Sequence, residues 1–379
     1  MAELTRLGDV VELVTGFPFK SAEFVGASQG VRLLRGDNIG HGTLRWDSAK
    51  HWPKENIADF EHYALHDGDT ILAMDRPWIS SGLKWAEVRE TDLPCLLVQR
   101  VARLRAREPL EQRFLAYVIS GKPFSNYVQG VQTGTAVPHI SSDQIKEFSF
   151  VCPSREDQRA ISALLGALDD KISVNERIAA ISSELSRAYY RQAIASGTEN
   201  IHVGDLFEFK YGKALREPDR RNGDVPVYGC TGQVGWHDTS LSSGSTVIVG
   251  RKGANAGWVS WSEKSCWIID TAFYASLKHA EMSPEVAFLI LENAGLPRLV
   301  GDSAVPGLNR ETALQCEINV PEVDVRLALA DTVRPLFKRA TATEVESRTL
   351  ATLRDTLLPQ LMSGRLRVKD AEKIVEDAT

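Results

Sequence analysis

Two adjacent cations and an asparagine lie on a glycine-rich stretch, Gly250-Arg-Lys-Gly-Ala-Asn-Ala-Gly257, between runs of strand-forming residues. Glycine lets a turn approach a ligand closely. Arginine or lysine matches the O6/N7 edge of guanine, and an asparagine amide matches the N6/N7 edge of adenine. Arg251, Lys252 and Asn255 are therefore candidates for contact with DNA, the competing reading being a solvated hairpin turn. Arg76 and Lys84 are their first-half counterparts, because Gly68-Asp-Thr-Ile-Leu-Ala-Met-Asp-Arg76 resembles Gly244-Ser-Thr-Val-Ile-Val-Gly-Arg-Lys252. Arg35 and Asn38, in an Arg-Gly-Asp-Asn loop beside Arg32, suit either a DNA contact or a structural salt bridge. Lys20 follows Gly16-Phe-Pro-Phe19 at an expected loop tip. Tyr228, with Trp236 and His237, suits stacking or pairing near bases, although buried packing is the expected role. Arg103, Arg105 and Arg107 alternate along an expected strand and share one face, read as a solvated sheet face.

Catalytic patterns are missing. There is no Gly-x-x-x-x-Gly-Lys-Ser/Thr phosphate loop, and residues 250–257 have the wrong glycine spacing for one. Nor is there an Asn/Asp-Pro-Pro-Tyr/Phe run of the kind that holds a flipped base in amino-methyltransferases. Gly26-Ala-Ser-Gln-Gly30 satisfies Gly-x-Ser-x-Gly, but Ser28 precedes a strand-like run instead of following one, so it reads as a loop turn. His62 and His66 have the spacing of two ligands on a helix face, without the glutamate base or third ligand a zinc site needs. The expectation is a non-catalytic chain with no metal and no cofactor of its own.

With 379 residues, 43% apolar and 25% charged, the chain has room for two or three domains with real cores. No apolar run approaches the roughly 20 residues that span a bilayer, and the N-terminus does not read as a signal peptide. Five scattered cysteines without a Cys-x-x-Cys pair suit reduced thiols in a cytoplasm. The net charge of −6 excludes a protein that coats nucleic acid by bulk charge. If DNA is the ligand, its basic residues must be focused on one face, or partner subunits must supply much of the phosphate grip.

The elements that must position these residues occur twice. At an offset of 168 residues, from Pro153 to Pro321, Ile161, Leu165, Leu168, Ile172, Leu185 and Tyr189 fall on Leu329, Val333, Leu336, Ala340, Leu353 and Leu357. Spacings of three and four lay a narrow apolar seam along each helix, as lengthwise packing requires. Ile178, Ile181, Leu185 and Ala188 continue the rhythm in the first helix. That helix is expected over 153–196, capped by Ser154 with Asp157 and closed by Ser196-Gly197. The second is expected over 321–363, with a kink at Pro335. Gly134-Thr-Ala-Val-Pro138 meets Asp302-Ser-Ala-Val-Pro306 at the same offset. Leu7-Gly-Asp-Val10 resembles Val203-Gly-Asp-Leu206, each followed by a glycine pair member (Thr15-Gly16, Tyr211-Gly212), and Cys95-Leu-Leu-Val-Gln99 resembles Cys266-Trp-Ile-Ile-Asp270. The fold class expected is α+β: two related domains joined by two long helices packed as an antiparallel coiled coil, pseudo-twofold and circular. The N-terminus should then lie near the end of the second helix. The segments are 1–152, 153–197, 198–320 and 321–379, the last a helix with a charged tail.

This ordered set resembles the specificity subunit of bacterial type I restriction–modification systems. The carrying stretches are Leu7–Gly16, Val31-Arg-Leu-Leu-Arg-Gly-Asp-Asn-Ile39, Leu96–Val101, Pro226-Val-Tyr-Gly-Cys-Thr-Gly232, Val249–Gly257 and Leu357-Leu-Pro-Gln-Leu-Met-Ser-Gly364. The resemblance covers nearly the whole chain. It implies that 1–152 and 198–320 are target-recognition domains, each reading half of a bipartite site in double-stranded DNA. It implies that the helices set the spacer and, through the seam residues, dock two methyltransferase subunits. Restriction/translocase subunits would complete the complex, and S-adenosylmethionine would bind only the methyltransferase subunits. In that family the loop around the repeated Ala-Val-Pro lies close to DNA, which adds Thr135, Ser303, Asn309 and Arg310 to the candidates. The competing function is a two-headed adaptor that binds proteins, with the coiled coil as its rod.

Overall fold

Each half of the chain begins and ends on strands that pair with each other. In the computed structural model, which describes residues 3–134, 137–301 and 306–378, Glu3–Arg6 runs antiparallel to Ser149–Cys152. Thr198–His202 likewise runs antiparallel to Glu317–Pro321. The chain divides into a first unit of residues 1–171 with 349–379 and a second unit of residues 172–348. Both are α+β.

The first unit holds a four-stranded sheet in the order Val11–Thr15, Val101–Ala106, Thr70–Ala73, Trp85–Glu87. Beside it, Gly30–Leu34 is flanked by antiparallel Lys50–Pro53 and parallel Cys95–Leu97. The second unit repeats the plan. Its four-stranded sheet runs Phe207–Tyr211, Ala272–Leu277, Thr246–Gly250, Val259–Ser262. Val225–Gly229 is flanked by antiparallel Gly232–His237 and parallel Trp267–Ile268. Order and strand direction match throughout, so one topology occurs twice. The match reaches single atoms. The Gly16 N–H donates to Val101 O and the Gly212 N–H to Ala272 O, both at 3.1 Å. A Cβ at either glycine would come within 2.3 Å of Val98 or 2.1 Å of Ile269 backbone, so no larger residue fits.

The central strands Thr70–Ala73 and Thr246–Gly250 are buried at every position, which explains why they read as continuous apolar runs instead of alternating ones. In the second unit Phe207, Phe209, Val247, Val249 and Phe273 form one core with Leu289 and Ile290 of helix Pro284–Asn293. That core extends to Tyr190 and Ala193 of the first long helix and to Leu329 and Val333 of the second. The alternating arginines of Val101–Ala106 are not on a solvated face. Arg103 is buried, donating to Glu12 (2.7 Å) and to His62 O (3.2 Å), and Arg105 donates to both Asp69 oxygens at 2.5 and 2.9 Å. Arg107 alone of the three is well exposed.

The long helices are Arg155–Ser196 and Val323–Met362. Ser154 Oγ accepts from the Asp157 N–H (3.2 Å) and donates to its carboxylate (2.7 Å), a cap for the first. The second continues through Pro335 without interruption. In the second unit the helices run antiparallel: Asn175 donates to Glu346 at 2.8 Å, while Tyr190 and Ala193 share a core with Leu329 and Val333. In the first unit Arg354 donates to Asp169 at 2.7 Å. Leu4 lines one cleft with Leu358, Pro359 and Met362, so the N-terminal strand does lie beside the end of the second helix.

The seam needs one correction. Ile161, Leu165 and Leu168 are buried, as are Leu329, Val333, Leu350 and Leu357, while Ile172, Leu336 and Leu353 are half-buried. Beyond Ile172, however, the buried face passes through Asn175, Ala179, Ser182 and Ser186, which keeps the three-four rhythm with small and polar residues. Ile181 and Leu185 are 51% and 39% exposed and sit on a neighbouring stripe with Val174, Ile178 and Tyr189. Leu165→Ala should therefore cost about 2–5 kcal/mol of stability. Leu185→Ala should fall within about 0.5 kcal/mol of the parent. Denaturant unfolding of the two variants checks this, and equal losses would contradict the seam described.

Candidate nucleic-acid interface

The glycine-rich stretch leaves the buried strand Thr246–Gly250 and is stitched on both sides. Arg251 and Lys252 donate backbone N–H groups to Thr271 O at 2.8 and 3.1 Å, and Gly253 donates to Pro306 O at 2.9 Å. Leu308 N–H donates back to Arg251 O at 2.8 Å, so the turn and the return loop before Asn309 are brought together. The N–H groups of Ala256, Gly257 and Trp258 are also taken by carbonyls of the same turn. A phosphate-cradling nest needs free backbone donors. Here the N–H groups of residues 250–253 and 256–258 are consumed, which leaves recognition mainly to side chains.

Those side chains differ in availability. Lys252 is exposed and Asn255 half-exposed. The Arg251 guanidinium lies 4.8 Å from the Tyr211 ring centroid and donates to Asp270 O at 3.0 Å. Arg310 lies 5.8 Å from the same ring, its Nε donating to Phe209 O at 2.8 Å. Asn309 caps helix Arg310–Leu314, its Oδ1 accepting from Glu311 and Thr312 N–H at 2.9 and 3.1 Å. That occupies the oxygen an adenine contact would use. Tyr228 is half-buried and packs against Ile248, Cys266 and Ile268, and burial pushes its hydroxyl above the ordinary tyrosine range. Its ring is thus engaged in packing.

The first unit makes the same stitch. Arg76 N–H donates to Pro138 O at 2.8 Å and Ile140 N–H to Met74 O at 2.9 Å. Ala73 faces Val101 as Gly250 faces Ala272. Asp75 bridges His139 as Lys252 bridges Gly307. The structural counterpart of Lys252 is therefore Asp75, and Arg76 stands one place further on, level with Gly253. Arg76 is exposed and has φ +44°, an uncommon backbone conformation for a side-chain-bearing residue, held by that bond to Pro138. Lys84 is buried; burial pushes its ammonium below the ordinary lysine range, Asp37 pulls it back up, and Arg45 and Arg76 push it down further. Asn38 is 2% exposed, accepting from Arg35 N–H at 3.0 Å and donating to Arg45 O at 2.9 Å. Both are buried, which corrects both expectations, and Asn38 is an internal brace of its loop. Arg35 pairs with Asp37 at 3.4 Å, and Lys20 is exposed. Thr135 and Ser303 lie outside the described residues.

Two groups escaped the sequence reading. Tyr211 was visible only as one half of a repeated residue-glycine pair. Asp75 accepts from Arg100 and, at 2.6 Å, from His139. Burial would raise its carboxyl, but the hydrogen bonds and charge of Arg100 and His139 hold it below its ordinary value. A carboxyl depressed in the folded state stabilises fully above its unfolded pKa of about 4, and that contribution is lost as pH falls through the lower folded value. Asp75→Asn should therefore be less stable than the parent at neutral pH, the gap closing below about pH 4. Unfolding midpoints from pH 7 to 3 measure this, and a gap that persists to pH 3 would exclude the linkage.

Two units of one topology, each with a side-chain-bearing turn stitched to a return loop and each drawing on two long helices, make a duplicated fold. The comparisons agree. Residues 2–182 match the model of the type I restriction modification DNA specificity domain. The chain is 38% identical over 164 residues to the type I restriction enzyme EcoAI specificity subunit of Escherichia coli, covering 43% of this chain and 27% of that one. It is 28% identical over 176 residues to the MjaVIII specificity subunit of Methanocaldococcus jannaschii, covering 46% of this chain and 41% of that one. These matches thus span well under half of the curated relatives. The fold is that of the type I restriction-modification S subunit from M. genitalium, with a TM-score of 0.64 over 95% of each chain at 16% identity. The match to the type I restriction modification DNA specificity domain thus lies in the first half of the chain, at residues 2–182.

Proposed function

We propose that the chain is the DNA-recognition subunit of a type I restriction–modification complex, non-catalytic by itself and cytoplasmic. Residues 1–152 and 198–320 act as target-recognition domains, each reading one half of a bipartite site in double-stranded DNA. The long helices over 153–197 and 321–379 set the unread spacer, because one added base pair shifts a half-site by about 3.4 Å and a tenth of a turn. The observation that carries this reading is one sheet order built twice with different side chains at the matched turns: Arg251 and Lys252 stand where Met74 and Asp75 stand in the first unit. Equal scaffolds with unequal faces suit two different half-sites. A two-headed protein-binding adaptor finds no support among the relatives.

Two methyltransferase subunits would dock on the helices, bringing S-adenosylmethionine and the reactive chemistry, and restriction/translocase subunits would join them. The outward stripe Val174, Ile178, Ile181, Leu185 and Tyr189 is the docking face this reading favours over the buried seam, because only the stripe is open to a partner. The DNA contacts proposed are Arg76 and Lys20 in the first unit and Arg251, Lys252, Asn255 and Arg310 in the second.

Modification-sensitive sequencing of host DNA, with and without this chain, tests the function. A split methylation motif should vanish with the chain; an unchanged pattern, or loss of a contiguous motif, would refute the reading. Within the assembled complex, Lys252→Ala and Arg76→Ala should each lower DNA affinity. If the lost contact is to phosphate, each should also flatten the dependence of log K on log salt by about 0.9. Titrations at several ionic strengths measure both, and unchanged binding in both variants would discard these turns as the contact points.

A further inference from the structure

We infer that Tyr211 is the positioning residue of a DNA-phosphate site in the second unit, holding both Arg251 and Arg310 against one aromatic ring. The inference rests on the DNA-recognition reading above.

Tyr211 is 50% exposed at the end of strand Phe207–Tyr211. From below it is fixed by Phe273, itself 1% exposed, edge to face at 5.1 Å, and Phe273 in turn stacks on Phe209 at 5.9 Å. The Arg251 and Arg310 guanidinium carbons lie over the ring, 4.8 and 5.8 Å from its centroid, within range of a cation–π attraction. Each guanidinium is also pinned by one backbone carbonyl, Asp270 O and Phe209 O. Five donors per arginine leave several N–H groups on each free to point at a ligand.

Two like charges on one ring repel each other unless an anion sits between or before them. Among the described residues no carboxylate pairs with Arg251, and Arg310 has only Glu311 at 3.7 Å, itself 72% exposed. The pair therefore keeps excess positive charge at the stitched turn, beside exposed Lys252. That is an unfinished ion cluster of the kind a phosphodiester completes.

The repeat shows that the scaffold does not need this cluster. The position of Tyr211 is held in the first unit by Thr15, that of Phe273 by Ala102 and that of Arg251 by Met74, as the matching ladders and stitches place them. Ala102 and Met74 are buried there, so the first unit closes the same spot with a small apolar plug. A device present in one copy of a duplicated fold, exposed and positively charged, serves that copy's ligand.

The test uses the complex of the full chain with its methyltransferase partners, titrated with duplexes with and without the target site at several salt concentrations. Arg251→Ala and Arg310→Ala should each weaken binding about tenfold near 0.1 M salt, on both duplexes, and flatten the salt slope by about 0.9. Tyr211→Ala, with both arginines present, should reproduce the flattening at an unchanged melting temperature, and Tyr211→Phe should restore parental affinity and slope. Parental behaviour of Tyr211→Ala, alongside weakened arginine variants, would overturn the positioning role while leaving the DNA reading intact. Loss confined to the target duplex would overturn the phosphate assignment. A parent complex that binds neither duplex would instead sink the DNA-recognition reading itself.

Discussion

The second unit depends on a short antiparallel ladder in which Thr198 faces Pro321 and His202 faces Glu317. Thr198 follows the first long helix after one residue, and Pro321 precedes the second after one residue. Antiparallel strands leave their flanking chain on the same side, heading in opposite senses. The ladder therefore fixes two helix ends side by side and antiparallel before any helix side chain contributes. The same closure recurs in the first unit, where Glu3–Arg6 takes the place of Thr198–His202 against Ser149–Cys152. The cleft that Leu4 shares with Leu358 and Met362 places the end of the second helix beside that strand.

Once the ladder sets direction, the seam sets register, and it does so with unlike materials. Leucine and isoleucine fill the face near Ile161, Leu165 and Leu168, whereas Asn175, Ser182, Ser186 and Thr343 fill it further on. Small side chains let helix backbones approach closely but supply little apolar burial. The buried Asn175 amide N–H that donates to Glu346 loses this partner if the helices slide past each other, which penalises a shifted register. Stability and specificity of pairing are thus carried by different stretches of one interface. The apolar residues absent from the polar stretch reappear one position away, facing outward, where they are open to another chain.

That displacement explains what could be read from the sequence and what could not. The offset of 168 residues, the two helices, the Ser154 cap and the repeated glycine joints all follow from patterns that recur because a backbone requires them. The face of a helix is harder. Ile181 and Leu185 are spaced correctly for a seam, and only the burial of Ser182 and Ser186 beside them reveals that the seam runs elsewhere. Polar residues misled for the converse reason. Asn38, Lys84 and Arg103 look available by type, yet each lies inside a fold where loop carbonyls or a distant carboxylate satisfy or stabilise it. The one-place slip between Arg76 and Lys252 arose because two strands were matched by composition. Their pairing with Val101 and Ala272 is a long-range fact.

The two stitched turns show how such a scaffold can change its ligand without changing its fold. The bonds that hold each turn to its return loop run from backbone N–H to backbone carbonyl: Arg76 to Pro138 and Ile140 to Met74 in one unit, Gly253 to Pro306 and Leu308 to Arg251 in the other. None depends on side-chain identity, and the proline carbonyls at both loops accept as well as any other. Substitutions at these turns therefore leave the stitch intact while altering what faces outward. Met74, Thr15 and Asp75 stand in one unit where Arg251, Tyr211 and Lys252 stand in the other, on the same backbone joints. A fold whose joints are made by the backbone and whose surfaces are made by side chains keeps its geometry constant while its recognition diverges.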